Sequence, residues 1–173
     1  MENFVYIIPN STNVLQEIPI VDEQNVTLFL LKNYNYQFPN KLLLSRLLLN
    51  YFYTYQISTE KGRPLYSIHY SFLKNCWRIT DYIMSSTALI HHFSPLWEAG
   101  TYSFKLNDST YLFQKDSIGT YHLHCDGKKI AMISLTLLYR STEIHNICVS
   151  YETKEAASLS VVLFHTFCLK NSR

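Results

Sequence analysis

The sequence predicts a mainly β protein, an antiparallel sandwich or barrel that encloses one apolar helix. Three observations carry this. Roughly ten or more short segments with period-two alternation follow one another at close spacing, the mark of an antiparallel sandwich or barrel. The segment Thr153–Leu169, T-K-E-A-A-S-L-S-V-V-L-F-H-T-F-C-L, is apolar almost all round from Ala156 onward, interrupted by Ser158, Ser160, His165 and Thr166. A helix without a polar face has to be enclosed, and at ~1.5 Å rise the roughly fourteen residues from Ala156 onward reach about 21 Å, short of the ~20 residues a bilayer requires. Finally, 47% hydrophobic and 15% aromatic residues in a chain of 173 supply ample material for one core, so a single domain is expected over residues 1–173.

In chain order, Phe4–Ile8 is a first strand ended by Pro9, Asn10–Asn25 a polar, turn-rich interval, and Val26–Leu31 a second strand. Residues 39–50 place leucines 43, 44, 47 and 48 at helical spacing, either a short amphipathic helix or a twisted strand pair. With Lys41 and Arg46 on it, such a helix plugs one end of the core or lies on a membrane or partner. From Tyr51 the period is two. Tyr51, Tyr53, Tyr55 and Ile57 share a face, and after Glu60-Lys61-Gly62-Arg63-Pro64 the alternation resumes over Leu65–Tyr70 as a hairpin. Further strands are read over 77–81, 88–93, 101–106, 111–114, 120–125, 130–138 and 143–150, with Asn107-Asp108 and Asp126-Gly127 as turns. Thr153 is suited to cap the final helix, with Glu155 in its first turn and Lys170 and Arg173 beyond its end, each sign matching the helix dipole. One internal similarity points to two related halves: the hairpin starting Tyr55-Gln56-Ile57-Ser58 resembles the one starting Tyr121-His122-Leu123-His124, each with an acidic-Gly-basic turn.

The net charge of +2 argues against a nucleic-acid binder that relies on neutralising phosphates. Four cysteines without a C-x-x-C pair fit a reducing compartment, with Cys148 and Cys168 expected as small buried residues. The N-terminus, Met1-Glu2-Asn3-Phe4, lacks the basic and apolar regions of a secretory signal, and a cytoplasmic location is expected.

Catalytic constellations are sparse. The four glycines, at 62, 100, 119 and 127, form neither G-x-G-x-x-G nor a P-loop, so no nucleotide cofactor is expected, and no close carboxylate pair points to glycosidase chemistry. His122-Leu123-His124 places two imidazoles on one strand face, able in principle to ligate zinc with His91 or His92 as a third ligand, but a polar outer strand face explains the pair with less, and no metal is expected. Cys125 next to His124 faces the opposite way, which rules out a direct Cys-His nucleophile pair and leaves a core thiol. His165 reads as a hydrogen-bonded core residue. Fourteen tyrosines, with Tyr51, Tyr53 and Tyr55 on one face, offer an aromatic surface for single-stranded nucleic acid, a reading the near-neutral charge disfavours.

The hairpins with acidic-Gly-basic turns, the strand Trp77-Arg78-Ile79-Thr80-Asp81, and the final strand Ile147-Cys148-Val149-Ser150 leading into an acid-flanked hydrophobic helix resemble the tubby C-terminal-like superfamily over about Val26–Leu169. Its members include the tubby domain, the LURP-one-related proteins, the phospholipid scramblases and small bacterial single-domain relatives, the branch to which this chain is expected to belong. The resemblance implies a closed antiparallel barrel of about twelve strands threaded by the helix, and a non-enzymatic binding module. Tubby domains bind anionic head groups through basic surfaces. No basic pocket motif carries over residue by residue, and the nearest candidates are Lys61 and Arg63 on one turn and Lys128 and Lys129 on its counterpart. The expected partner is an anionic phospholipid at the inner membrane surface, with a protein partner as the alternative.

Overall fold

The computed structural model describes residues 1–7, 17–22, 24–35, 53–71, 76–93, 100–137 and 145–168. Alternation of inward apolar and outward polar residues builds twelve strands: β1 (Glu2–Ile7), β2 (Glu17–Val21), β3 (Thr27–Asn35), β4 (Tyr53–Thr59), β5 (Pro64–Ser71), β6 (Cys76–Asp81), β7 (Ser86–Phe93), β8 (Thr101–Leu106), β9 (Ser109–Lys115), β10 (Tyr121–Cys125), β11 (Lys128–Leu137) and β12 (His145–Tyr151). They form one antiparallel sheet in the order β1-β12-β11-β10-β9-β8-β7-β6-β5-β4-β3-β2. β1 and β2, at its two edges, approach one another, so the sheet curls into a nearly closed barrel.

Two expectations need correcting. The interval Asn10–Asn25 contains β2, which the proline at 19 and the flanking polar residues disguise; β2 pairs with β3 alone and ends the sheet order, and an edge strand is where a proline is tolerated. Cys148 and Cys168 are half-buried, as are Cys76 and Cys125; Cys148 lies between the buried Ile147 and Val149 and therefore takes the opposite face of β12. The helix or strand pair expected at 39–50 lies outside the described residues.

The helix α1 (Lys154–Phe167) occupies the barrel interior, with every residue from Ala156 to Phe167 buried. It packs on β4, β5, β10, β11 and β12, whose inward side chains Ile57, Ile68, Leu123, Ile133 and Val149 are completely buried. Thr153 Oγ1 accepts from the amide of Ala156 at 3.2 Å, as the capping pattern requires. The internal hydroxyls are satisfied within the helix itself. Ser158 donates to the Glu155 carbonyl (2.9 Å), Ser160 to Ala157 (2.8 Å) and Thr166 to Val162 (2.7 Å). His165 instead reaches the wall, where its Nε2 lies 2.8 Å from the Tyr6 hydroxyl on β1.

The twelve strands repeat as two sets of six. Following the ladder registers, β2–β7 match β8–β12 and then β1: Ile20 takes the place of Phe104, Leu31 of Phe113, Ile57 of Leu123, Ile68 of Ile133, Ile79 of Val149 and Ile90 of Tyr6. One irregularity also coincides, with register shifts at Ile57/Ser58 in β4 and Leu123/His124 in β10, whereas the shift at Ile20/Val21 in β2 has no counterpart in the regular β8–β9 ladder. The hairpin similarity visible in the sequence therefore extends around the whole wall.

Candidate functional site

Because neighbouring strands alternate in direction, the turns β2–β3, β4–β5, β6–β7, β8–β9 and β10–β11 and the link from β12 to α1 all emerge at one end of the barrel. This end carries all four basic candidates. The β4–β5 tip closes with Thr59 N to the Arg63 carbonyl at 2.8 Å and Gly62 N to the Thr59 carbonyl at 2.9 Å, and Glu60, Lys61, Gly62 and Arg63 are exposed. Gly62, at φ 77°, adopts a left-handed conformation that costs a side-chain-bearing residue energy. The β10–β11 tip is tighter. Asp126 and Gly127 have φ of 50° and 81°, the two consecutive positive values of a type I′ turn, and Lys128 and Lys129 follow, both exposed. The Asp126 carboxylate accepts from Thr110 N at 2.8 Å, a bond that holds it below the usual carboxylate range.

The structure brings Lys61 together with Arg63, and Lys128 with Lys129, but not the two pairs with each other. Four strands separate the β4–β5 hairpin from the β10–β11 hairpin in either direction around the barrel. For twelve tilted strands that places the tips roughly 20–25 Å apart, beyond the span of one head group. The pairs also differ in their partners, since Lys128 Nζ is 2.7 Å from Glu152 Oε2 at the entry to α1.

His122 and His124 share one face of β10, with ring centroids 6.2 Å apart. His122 Nε2 lies 2.8 Å from Asp116 Oδ2, and that bond is the main reason the Asp116 carboxyl sits below its ordinary range. Asp116 also accepts from Ile118 N and Thr120 N, tying off its own turn. Burial lowers His124. The third zinc ligand is ruled out by strand order: His91 and His92 lie on β7, three strands from β10, or about 14 Å at the usual spacing. Among the described residues no group of three or more His, Cys, Asp or Glu is arranged to hold a metal.

Cys125 falls on the face opposite to His124, as alternation dictates, with its Sγ 3.7 Å from Asp126 Oδ2. His165 is a core residue: burial pulls it down to about 3 and keeps the imidazole neutral against Tyr6. Of the three tyrosines offered as a nucleic-acid surface, Tyr55 packs its ring 5.8 Å from His165, inside the barrel, and Tyr51 lies outside the described residues. Among the described residues no helix is long and apolar enough to cross a membrane.

Two features of this end went unread in the sequence. The β6–β7 turn presents Tyr82, Ile83 and Met84, three large apolar or amphipathic residues that are 42%, 42% and 65% exposed. The available signal was an apolar tripeptide exactly where a turn calls for polar residues. Beneath it the buried Asp81 accepts from Ile83 N at 2.8 Å, Met84 N at 3.1 Å and Asn107 Nδ2 at 2.7 Å. The second feature is a polar cleft of about 360 Å³ at the β1/β2 seam, lined by Glu2, Asn3, Asp22, Gln24, Leu28, Tyr151 and Lys154.

No curated protein and no solved structure is matched by the chain. The family model described as the Tubby C-terminal like domain matches residues 4–169, from the first strand through the enclosed helix, and the chain belongs to that family.

Proposed function

We propose that the domain is a non-enzymatic binding module whose hairpin end engages anionic phospholipid head groups at the inner membrane surface, with Lys61, Arg63 and Lys129 as the principal contacts and Lys128 as an auxiliary one. The observation that carries this reading is the common orientation of the tips: two basic hairpins project from the same end on opposite sides of the rim. A target that meets both at once has to be broad, and a charged lipid surface is broad and attracts each Lys or Arg near it by ~1 kcal/mol. The family supports a binding role over a catalytic one. Lys128 is auxiliary because its ion pair with Glu152 already satisfies it.

A protein partner is the second reading, favoured by the mixed charge of the rim. Glu60 lies beside Lys61 and Arg63, and Asp126 and Glu152 lie beside Lys128 and Lys129, a pattern that suits an oppositely patterned protein surface. Co-sedimentation with neutral and anionic vesicles at low and moderate salt separates the two. Head-group binding predicts association that needs anionic lipid, weakens with salt, and falls in Lys61→Ala/Arg63→Ala more than in Lys128→Ala/Lys129→Ala. Absence of binding to every vesicle sinks the lipid reading and leaves the protein-interaction module.

A further inference from the structure

We infer that the β6–β7 tip is a membrane-inserting element, with Ile83 and Met84 entering the head-group and acyl boundary of an anionic bilayer while basic residues on the adjacent tips hold the surrounding head groups. This rests on the lipid reading above and adds an apolar term to it.

The tip is a rigid projection. Asp81 fixes the backbone amides of Ile83 and Met84, Tyr82 N donates to the Leu65 carbonyl at 2.9 Å, and the Tyr82 hydroxyl lies 3.2 Å from Ser67 Oγ. These bonds orient Tyr82 along β5, and Ile83 and Met84 follow it at the apex of the turn. A turn this well tied has little conformational freedom left to lose on binding. Its residues are nonetheless those that a turn facing water disfavours.

The flanks identify the occupant. On one side the Leu65 bond joins the tip to β5, beside the exposed Lys61 and Arg63. On the other, Asn107 joins it to the β8–β9 turn, where the Lys105 side chain is 67% exposed with a long 3.8 Å contact to Asp108. An apolar apex with the net-basic Lys61 and Arg63 tip on one shoulder and Lys105, offset by Asp108, on the other suits an anionic bilayer, whose apolar interior lies under a negative surface. Tyr82, with an apolar ring and a polar hydroxyl, is of the type that settles at that interface.

The test uses the full chain carrying Met84→Trp, with the wild type as the baseline for Trp77 and Trp97, on vesicles of phosphatidylcholine with and without phosphatidylserine, and on matching vesicles brominated on the acyl chains. Insertion predicts a blue shift of the added tryptophan on anionic vesicles, quenching by the bromines, and vesicle affinity weakened about tenfold or more in Ile83→Asp and Met84→Asp. Both aspartate variants should keep the parent's melting temperature, since the two side chains already face solvent. Anionic binding with no shift, no quenching and unchanged aspartate variants overturns insertion and leaves head-group binding standing. Absence of binding to any vesicle overturns both, and the tip is then a contact for a protein.

Discussion

The two six-strand halves of the barrel share their inward positions and the bulge in their third strands, yet differ most at one corner. In the first half β6 turns directly into β7 through the apolar residues Tyr82–Met84 above the buried Asp81. In the second, the matching strands β12 and β1 are not joined by a turn: the chain leaves β12 to enter the core as α1, the place of Asp81 is taken by Tyr151, and a polar cleft opens beside it. The wall of a barrel is set by pairing and packing rules that both halves obey alike. The corners that break the repeat are where the chain has residues to spare for purposes other than the wall.

The largest expected effect tests whether both halves close on one helix. Val162 is completely buried, and Val162→Asp puts an unpaired charge into the shared interior, at a cost comparable to the ~5–15 kcal/mol that holds a typical domain together. The variant should be insoluble or unfolded by circular dichroism; a soluble protein that melts like the parent would remove α1 from the interior and end the comparison.

The next sharpens it. The helix is pinned to the second half, because Tyr6 bonds His165 while its counterpart Ile90 has no polar group to offer. His165 titrates near 3 in the folded state and near 6.5 when unfolded. Between those values the unfolded chain binds a proton that the folded one refuses, so stability falls as pH drops from about 6.5 towards 3, by about 1.4 kcal/mol per pH unit from this residue. Chemical denaturation at several pH values should show a shallower dependence in His165→Gln; an unchanged slope would refute the buried neutral imidazole.

Asp81→Ala removes the acceptor of three hydrogen bonds at the unmatched corner and should lower stability by about 2–3 kcal/mol in urea denaturation. Loss of less than half of that would mean the tip holds its shape without Asp81. The smallest effect compares the basic tips. Gly62 and Gly127 have φ of 77° and 81°, and a Cβ on either meets nothing within 4 Å, so Gly62→Ala and Gly127→Ala should each cost about 1 kcal/mol by backbone strain alone. Unequal costs, read from the same denaturation curves, would show that the tips are not equivalent.

Much of the wall was legible because alternation reports directly on which side a residue faces: Tyr55–Ile57, Trp77–Asp81 and Ile147–Ser150 all lie where their pattern places them. The helix was legible from its lack of a polar face and the cap at Thr153. Strand order was not, because pairing partners leave little trace in a single sequence. That is why His91 was offered as a companion to His122 from three strands away, and why Lys61 and Lys129 were grouped although they stand across the rim. β2 was hidden by Pro19, whose meaning reverses between an edge strand and a central one. The Tyr82–Met84 tip was missed for a different reason: in a strand-rich sequence an apolar triplet reads as wall unless the turn around it is known first.

The pairing of β1 with β12 bears on how the chain acquires its fold. Glu2 faces Tyr151 across that ladder, and Tyr6 bonds His165, 159 positions away. At a synthesis rate of roughly 5–20 residues per second, β1 waits on the order of 7–30 seconds for its partner strand to exist. Through that interval the apolar inner face of the growing sheet lacks the helix that will fill it, because α1 follows all twelve strands in the chain. Contacts so distant in sequence also place the domain among slow folders. Its period of greatest exposure to aggregation is therefore its own synthesis, and chaperone protection of the nascent sheet would matter more to its yield in cells than the stability of the finished barrel.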